Sequence, residues 1–220
     1  NGSLYIPKKV TEDEIDSFVN SNTNYNHWNS GIGGDDAHSI VTGLTIAGGN
    51  IQVLTTAGDN CTAIGGGGNG YSSINITGGN IKAITNGTGT AIGGGIGYLS
   101  IGGSGNIKIS NGNVYAENYG YGVAIGGGSS YFQYGSAGNV SITGGFVTAL
   151  AKGNNSIGGG ISTESDGGGA TINITGGTIV SNNIGGGYSP ISGYKDSNIK
   201  ITGGSINSSV STQPTNGSDN

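Results

Sequence analysis

Few side chains in this sequence have the chemistry of a catalytic group, and the densest group of them lies near its start. Asp35, Asp36 and His38 follow one another closely there. A glycoside hydrolase needs two carboxylates at a set separation across the sugar. The adjacent Asp35 and Asp36 point to opposite sides if they lie on a strand, but they can converge in a loop. We interpret them as solvated loop acids and keep a catalytic cluster with His38 as the alternative.

Two pairs of carboxylates have the oxygen chemistry of a cation site. They are Asp35 with Asp36, and Glu164 with Asp166 further along the chain. Ca²⁺ takes roughly six to eight oxygen ligands, so backbone carbonyls would have to supply the remainder. Solvated acids explain both pairs more simply. The sequence therefore predicts no cofactor and no metal, with Ca²⁺ as the alternative at either pair.

Aromatic residues recur after runs of glycine and give a second chemical signal. They are Tyr71, Tyr98, Tyr131, Phe132, Tyr134, Tyr188 and Tyr194. An exposed ring packs on the apolar face of a sugar while its hydroxyl stays hydrated, which suits a glycan-binding surface. The predicted ligand-binding residues are Tyr71, Tyr98, Tyr131, Phe132, Tyr134 and Tyr188. The alternative is that the rings fold back over the glycine-rich strands and fill gaps in the packing.

Two alternating motifs must position these residues. The first is a glycine run after isoleucine, as in AIGGG, at Ile32, Ile64, Ile92, Ile125, Ile157 and Ile184. The second is ITGG and close variants, at Ile46, Ile76, Ile109, Ile142, Ile174 and Ile201. Strict alternation with a period of about thirty residues indicates one structural unit repeated and stacked on itself.

Each repeat contains three short extended segments separated by glycines. In I-x-I-T and I-x-A, β-branched residues alternate with polar ones, so one face of each segment is apolar. Ile74 and Ile76, with Asn75 between them, show the first pattern. Glycine pairs permit tight turns with positive φ. The pattern predicts an all-β fold, a right-handed parallel β-helix of about six coils with a three-sided cross-section.

Stacked coils place equivalent residues in columns. We expect an aliphatic column of Ile76, Ile109, Ile142, Ile174 and Ile201 beside a hydroxyl column of Thr77, Ser110, Thr143, Thr175 and Thr202. Asn50, Asn80 and Asn113 align at a turn, where stacked amides bond to one another. The repeated letters thus specify a stack, and the loops after each glycine run are the positions left free for a function.

The start of the chain differs from the repeats. A capping box at Thr11 and Glu14 precedes apolar residues at helical spacing, which predicts a short helix over about 11–20. A solenoid needs such a cap because its terminal coil exposes apolar side chains and unpaired backbone. The predicted organisation is a cap at 1–30, a β-helix array at 31–208 and a linker at 209–220.

Composition excludes several classes of protein. Gly accounts for 50 of 220 residues but does not occupy every third position, so the chain is not collagen. The formal net charge is −5 and every basic residue is Lys, without a basic stripe, which argues against a nucleic-acid partner. No apolar run reaches the roughly 18 residues of a membrane span, so we predict no membrane insertion. The lone Cys61 is interpreted as a small core residue.

The alternation of GxAIGGG with ITGGxIxA over residues 31–208 resembles the Gly-rich repeats of large secreted and cell-surface proteins of Gram-positive bacteria. This resemblance implies a right-handed β-helix associated with carbohydrate binding, adhesion or carbohydrate-active enzymes. Pectate lyases and polygalacturonases share that fold, but this chain has no Arg and lacks the several Asp residues on neighbouring coils that typify polygalacturonases.

The sequence therefore favours a non-catalytic extracellular module, secreted or attached to the cell wall. It is predicted to bind a polysaccharide or host glycan, or to mediate adhesion, beside other domains of the same polypeptide. One alternative is a polysaccharide lyase or glycosidase centred on Asp35, Asp36 and His38. A second alternative is a structural spacer whose loops bind nothing.

Overall fold

The structure is a computed structural model in which the chain forms a parallel β-solenoid of about four turns. It describes residues 4–5, 30–34, 39–55, 62–153 and 155–210. The strands are β1 (Leu4–Tyr5), β2 (Ser30–Gly33), β3 (Val41–Ile46), β4 (Asn50–Thr55), β5 (Thr62–Gly65), β6 (Ser72–Ile76), β7 (Asn80–Thr85), β8 (Ile92–Gly93), β9 (Gly105–Ile109), β10 (Asn113–Asn118), β11 (Ile125–Gly126), β12 (Gly138–Ile142), β13 (Phe146–Ala151), β14 (Ile157–Gly158), β15 (Ala170–Ile174), β16 (Thr178–Gly185), β17 (Tyr188–Ser189), β18 (Gly193–Tyr194), β19 (Ser197–Ile201) and β20 (Ser205–Val210). This arrangement confirms the predicted all-β solenoid.

The strands stack into three parallel arrays, one for each extended segment of the repeat. The first array runs β3, β6, β9, β12, β15 and β19. The second runs β1, β4, β7, β10, β13, β16 and β20, and the third runs β2, β5, β8, β11, β14 and β16. Because β16 belongs to both, the second and third arrays form one continuous sheet. The three predicted segments of each repeat are therefore confirmed.

The core lies between the arrays and consists mainly of isoleucine, valine and alanine. In β6 the buried Ile74 and Ile76 alternate with the outward Ser73 and Asn75. The aliphatic column is confirmed by the register of Ile76, Ile109, Ile142, Ile174 and Ile201. Each buried aliphatic side chain contributes roughly 1.5–3 kcal/mol, whereas ordering each residue costs about 1–2 kcal/mol. A single coil is therefore unstable, and stacking is required.

The turns between arrays also stack. Asn80 Nδ2 donates to Asn50 Oδ1 at 2.8 Å, as the asparagine column predicts. Asn113 follows Asn80 in register. The hydroxyl column is exposed along its length, at Thr77, Ser110, Thr143, Thr175 and Thr202. These columns continue from coil to coil because the repeat keeps its phase.

Glycines of the IGGG motif let neighbouring coils approach more closely than a side chain would permit. At Gly126 φ is 149°, and a Cβ placed there would lie 1.9 Å from the carbonyl oxygen of Gly158 in the next coil. Any side chain at this position would therefore collide with backbone that cannot move aside. The motif is a requirement of stacking as well as of turning.

Some predicted features lie outside the described residues. They are the helix over 11–20, Cys61 and most of the cap and linker segments. In the part of the chain that the structure describes, no helix is long and apolar enough to cross a membrane.

Candidate functional site

Loops of matching shape leave the solenoid after the glycine runs of successive coils. Three of them, residues 94–104, 127–137 and 159–169, connect the third array to the first. Gly97 forms a parallel bridge with Ser130, and Ser130 forms one with Ser162. The outgoing sides of the three loops are therefore in register with one another.

The returning sides of these loops are in register as well. Gly102 N donates to Tyr134 O at 3.3 Å, and Gly135 N donates to Asp166 O at 3.0 Å. Between the two sets of anchors each loop has a tip of equal length. We define the loop-tip surface as residues 98–101, 131–134 and 163–166. Equivalent tip residues of adjacent coils are therefore neighbours, with the roughly 4.8 Å separation of stacked strands.

The stems of the loops are joined by a ladder of backbone hydrogen bonds that alternates between outgoing and returning segments. The bonds are Gly95 N to Gly70 O, Gly103 N to Gly95 O, Gly128 N to Gly103 O, Ser136 N to Gly128 O, Gly160 N to Ser136 O, Gly168 N to Gly160 O and Gly187 N to Gly168 O, at 2.7–3.0 Å. Glycine is needed here because a Cβ at Gly128 would lie 1.9 Å from Gly95 O. The ladder holds each loop against two others.

Buried serines fix the tips in the same way. Ser130 Oγ donates to Ser100 O at 2.8 Å and accepts from Gln133 N at 3.0 Å. One coil on, Ser162 Oγ donates to Gln133 O at 2.7 Å and accepts from Ser165 N at 2.8 Å. Each hydroxyl thus closes its own loop and ties it to the preceding one. The loop tips are a continuation of the stacked structure.

The aromatic side chains of two adjacent tips form a cluster that remains open to solvent. The ring of Tyr98 lies 5.3 Å from that of Phe132 at 89°, and 5.7 Å from that of Tyr131 at 69°. Such edge-to-face pairs are favourable by about 0.5–1.5 kcal/mol each. Tyr98 is nevertheless 45% exposed, Phe132 39% and Tyr134 50%. The rings therefore support one another while presenting a surface to solvent.

Two aliphatic residues extend this cluster and were missed by reasoning from sequence. Leu99 is 73% exposed and Ile101 is 52% exposed. The matching tip lengths place Leu99 beside Phe132 and Ile101 beside Tyr134. The only available signal was loop alignment, because an isolated loop leucine or isoleucine has no chemical signature of its own.

Tyr71 lies away from the loop-tip surface, whereas Tyr188 lies just outside it, where its backbone oxygen accepts from Ser162 N at 3.1 Å. Tyr71 directly precedes β6, and its hydroxyl accepts from Asn106 Nδ2 at 3.4 Å beside the first array. Tyr188 pairs with Tyr194 across the short β17–β18 hairpin, with ring centroids 5.2 Å apart. Of the six predicted ligand residues, the structure brings together Tyr98, Tyr131, Phe132 and Tyr134. Of the other two, Tyr71 lies beside the first array and Tyr188 lies in the hairpin that stacks against the third tip.

The third tip is acidic. Lys195 Nζ lies 3.0 Å from Asp166 Oδ2. A hydrogen bond from Ser192, together with Lys195, holds the pKa of Asp166 below its ordinary value. Glu164 is exposed in the same tip. The two predicted metal-ligand candidates are therefore differently engaged, since Asp166 is already paired.

Asp35, Asp36 and His38 lie outside the described residues. Among the residues that the structure does describe, no group of three or more His, Cys, Asp or Glu side chains is gathered as a metal site would require.

The loop-tip surface thus offers rigid, exposed rings flanked by aliphatic and acidic side chains. Comparisons with protein-family models, curated proteins and solved structures gave no match to the chain. The chemistry of this surface is what remains to indicate a function.

Proposed function

We propose that the chain is a non-catalytic recognition module that binds a glycan through its loop-tip surface. The observation that carries this proposal is the cluster of Tyr98, Tyr131 and Phe132, whose rings pack edge to face while Tyr98 and Phe132 stay exposed. Sugar rings have apolar faces that pack on such aromatic groups, and their hydroxyls bond to nearby polar groups. Gln133, Ser165 and Thr163 supply those polar groups beside the rings.

Rigidity of the loops favours binding. A ligand that orders mobile side chains loses free energy, about 0.5–1.5 kcal/mol for each one. Here Ser130 and Ser162 fix the tips, and Thr163 Oγ1 donates to Tyr131 O of the adjacent loop at 2.6 Å. The platform is therefore formed before a ligand arrives. This preorganisation supports a binding role over that of a loop that merely covers the coil edge.

The wider setting is part of the same proposal. The Gly-rich repeats and the abundance of Asn, Ser, Thr and Gly support an extracellular, secreted or wall-attached module of a Gram-positive bacterial protein, acting in adhesion beside other domains. The six stacked strands of the first array support a solenoid of six coils. We propose that its coils wind as a right-handed helix, as is common for such folds. We further propose that a helix at 11–20 covers the first coil.

Two other functions stay as alternatives. A polysaccharide lyase or glycosidase would rest on Asp35, Asp36 and His38, with Ca²⁺ as its most plausible metal. A spacer would use the solenoid for its stiffness alone. The exposed rings favour glycan binding over the spacer, because a spacer requires no aromatic surface at the loop tips.

A glycan array tests the proposal. Wild-type protein is compared with the double variant Tyr98→Ala, Phe132→Ala, which removes the centre of the cluster. The matched control is Tyr121→Ala, Phe146→Ala, which removes two exposed rings from the second-array side of the molecule. We expect binding by the wild type and control and its loss in the first variant. A blank array for wild type, or equal binding by all three proteins, would contradict the proposal.

A further inference from the structure

The composition of the loop-tip surface changes from one tip to the next. The first outward column contains Leu99, Phe132 and Glu164, and the second contains Ile101, Tyr134 and Asp166, by the register of the loop anchors. Each column therefore runs from aliphatic to aromatic to acidic. The β17–β18 hairpin continues the stack beyond the third tip, since Ser162 N donates to Tyr188 O at 3.1 Å and Ser192 bonds to Asp166. The acidic tip therefore lies between the aromatic tip and the exposed Ile191.

Only one of the two acids has a free charge to offer. Asp166 is paired with Lys195 and accepts a hydrogen bond from Ser192. For Glu164, no lysine among the described residues lies within ion-pair distance. The loops 94–104 and 127–137 carry no charged residue. The unbalanced charge at the loop-tip surface is thus the single carboxylate of Glu164.

The position of Glu164 makes this charge relevant to binding. Ser130 is in register with Ser162, and Thr163 bonds to the backbone of Tyr131. Glu164 is consequently one coil from Phe132, and the backbones of adjacent coils stack about 4.8 Å apart. A sugar seated on the Phe132 ring therefore has its neighbouring substituents within reach of the carboxylate.

We infer that the loop-tip surface selects a glycan with free amino groups, and that Glu164 determines this selectivity. This inference rests on the proposed glycan-binding function. A protonated amine on a sugar would pair with Glu164 while the sugar ring packs on Phe132 and Tyr98. An anionic glycan would be repelled by the same carboxylate, and an N-acetylated one would lose the ion pair.

The test is a titration of wild-type protein with oligomers of glucosamine, N-acetylglucosamine and galacturonate. It is carried out at about pH 6, where an amine whose pKa is near that of an α-amino group, about 7.7, is protonated. The matched variants are Glu164→Gln and Glu117→Gln, which each remove one carboxylate, the second from β10 on another face. A cationic lysine peptide serves as the competing class of ligand.

We expect the glucosamine oligomer to bind about three- to fivefold more tightly than its N-acetylated counterpart, the scale of one exposed ion pair. Glu164→Gln should abolish that preference and leave binding of the N-acetylated oligomer unchanged, and Glu117→Gln should keep the preference. Equal or tighter binding of the N-acetylated or acidic oligomer would overturn the inference and leave the glycan proposal standing. A preference that survives Glu164→Gln, or tighter binding of the lysine peptide, would also overturn it. If none of the three oligomers binds, the inference fails, and the glycan array decides separately whether the proposed function fails with it.

Discussion

The ring of Tyr98 meets that of Phe132 edge to face, at 5.3 Å, although the two residues belong to loops of different coils. Their approach depends on the phase of the repeat, because Gly97 and Ser130 align the two loops just before the rings. Packing within the solenoid and the exposed surface are therefore coupled. A change in the stems should alter the platform, and a change in the rings should leave the stems intact.

The glycines of the IGGG motif provide the first test of this coupling. Gly126→Ala should destabilise the fold by more than about 3 kcal/mol or prevent folding, because the added Cβ meets the carbonyl oxygen of Gly158 at 1.9 Å. Gly48→Ala is the control, since no atom of the described residues beyond its chain neighbours lies within 4 Å of a Cβ at that turn. Urea unfolding followed by circular dichroism measures both. Equal stability of the two variants would refute the account of coil stacking.

A second prediction concerns the aliphatic column. Ile142→Ala should lower the free energy of unfolding by about 2–5 kcal/mol, because the side chain is fully buried between coils. Ile201→Ala should lower it by less than about 1.5 kcal/mol, since Ile201 occupies the same column but is 42% exposed in the last coil. Thermal and denaturant unfolding of both variants gives the comparison. A larger loss of unfolding free energy in Ile201→Ala than in Ile142→Ala would contradict the assignment of this column to the core.

The serine ties make a third prediction. Ser130→Ala leaves Ser100 O and Gln133 N without their buried partner, so stability should fall by about 1–3 kcal/mol. Glycan affinity should fall with it by roughly three- to tenfold, because the tips lose their fixed spacing. Ser141→Ala is the control, since it removes a serine hydroxyl from the outward face of β12, away from the loop tips. Unchanged affinity in Ser130→Ala would show that preorganisation contributes little.

The pairing of Asp166 with Lys195 gives a pH prediction. The pKa of Asp166 in the folded chain is below its ordinary value of 3.8, so the pairing stabilises the fold above that pH and is lost as the pH falls. Lys195 directly follows Tyr194, so the ion pair helps to hold the β17–β18 hairpin in place. The contact between the rings of Tyr188 and Tyr194 should therefore weaken below pH 3.8, where the pairing is lost. Nuclear Overhauser effects between the two rings report this. Asp166→Asn should make the contact insensitive to pH in that range, and persistence of the wild-type pH response in this variant would exclude Asp166 as its source.

Much of the fold could be predicted from sequence because its determinants are local and repeated. The alternation at Ile74 and Ile76 defines an inward face, and repetition of the same pattern fixes the register of the coils. The alignment of Asn50 with Asn80 follows from the same period. These predictions needed no knowledge of contacts between distant segments.

The candidate site was less accessible to sequence reasoning because it depends on the shape of the loops. Tyr71 and Tyr98 each follow a glycine run, but Tyr71 sits at the end of a shorter loop, directly before β6. It therefore joins the first array and not the tips. Leu99 was overlooked for the opposite reason, since only loop register places it beside Phe132.

The central claim is that glycan binds over the rings of the loop-tip surface. Hydroxyl-radical footprinting of the wild-type protein, with and without the best-binding array glycan, tests it most directly. The account predicts that ligand protects Tyr98, Phe132 and Tyr134 from oxidation and leaves the exposed rings of Tyr121 and Phe146 unprotected. Protection of Tyr121 or Phe146 without protection of the loop-tip rings would contradict it.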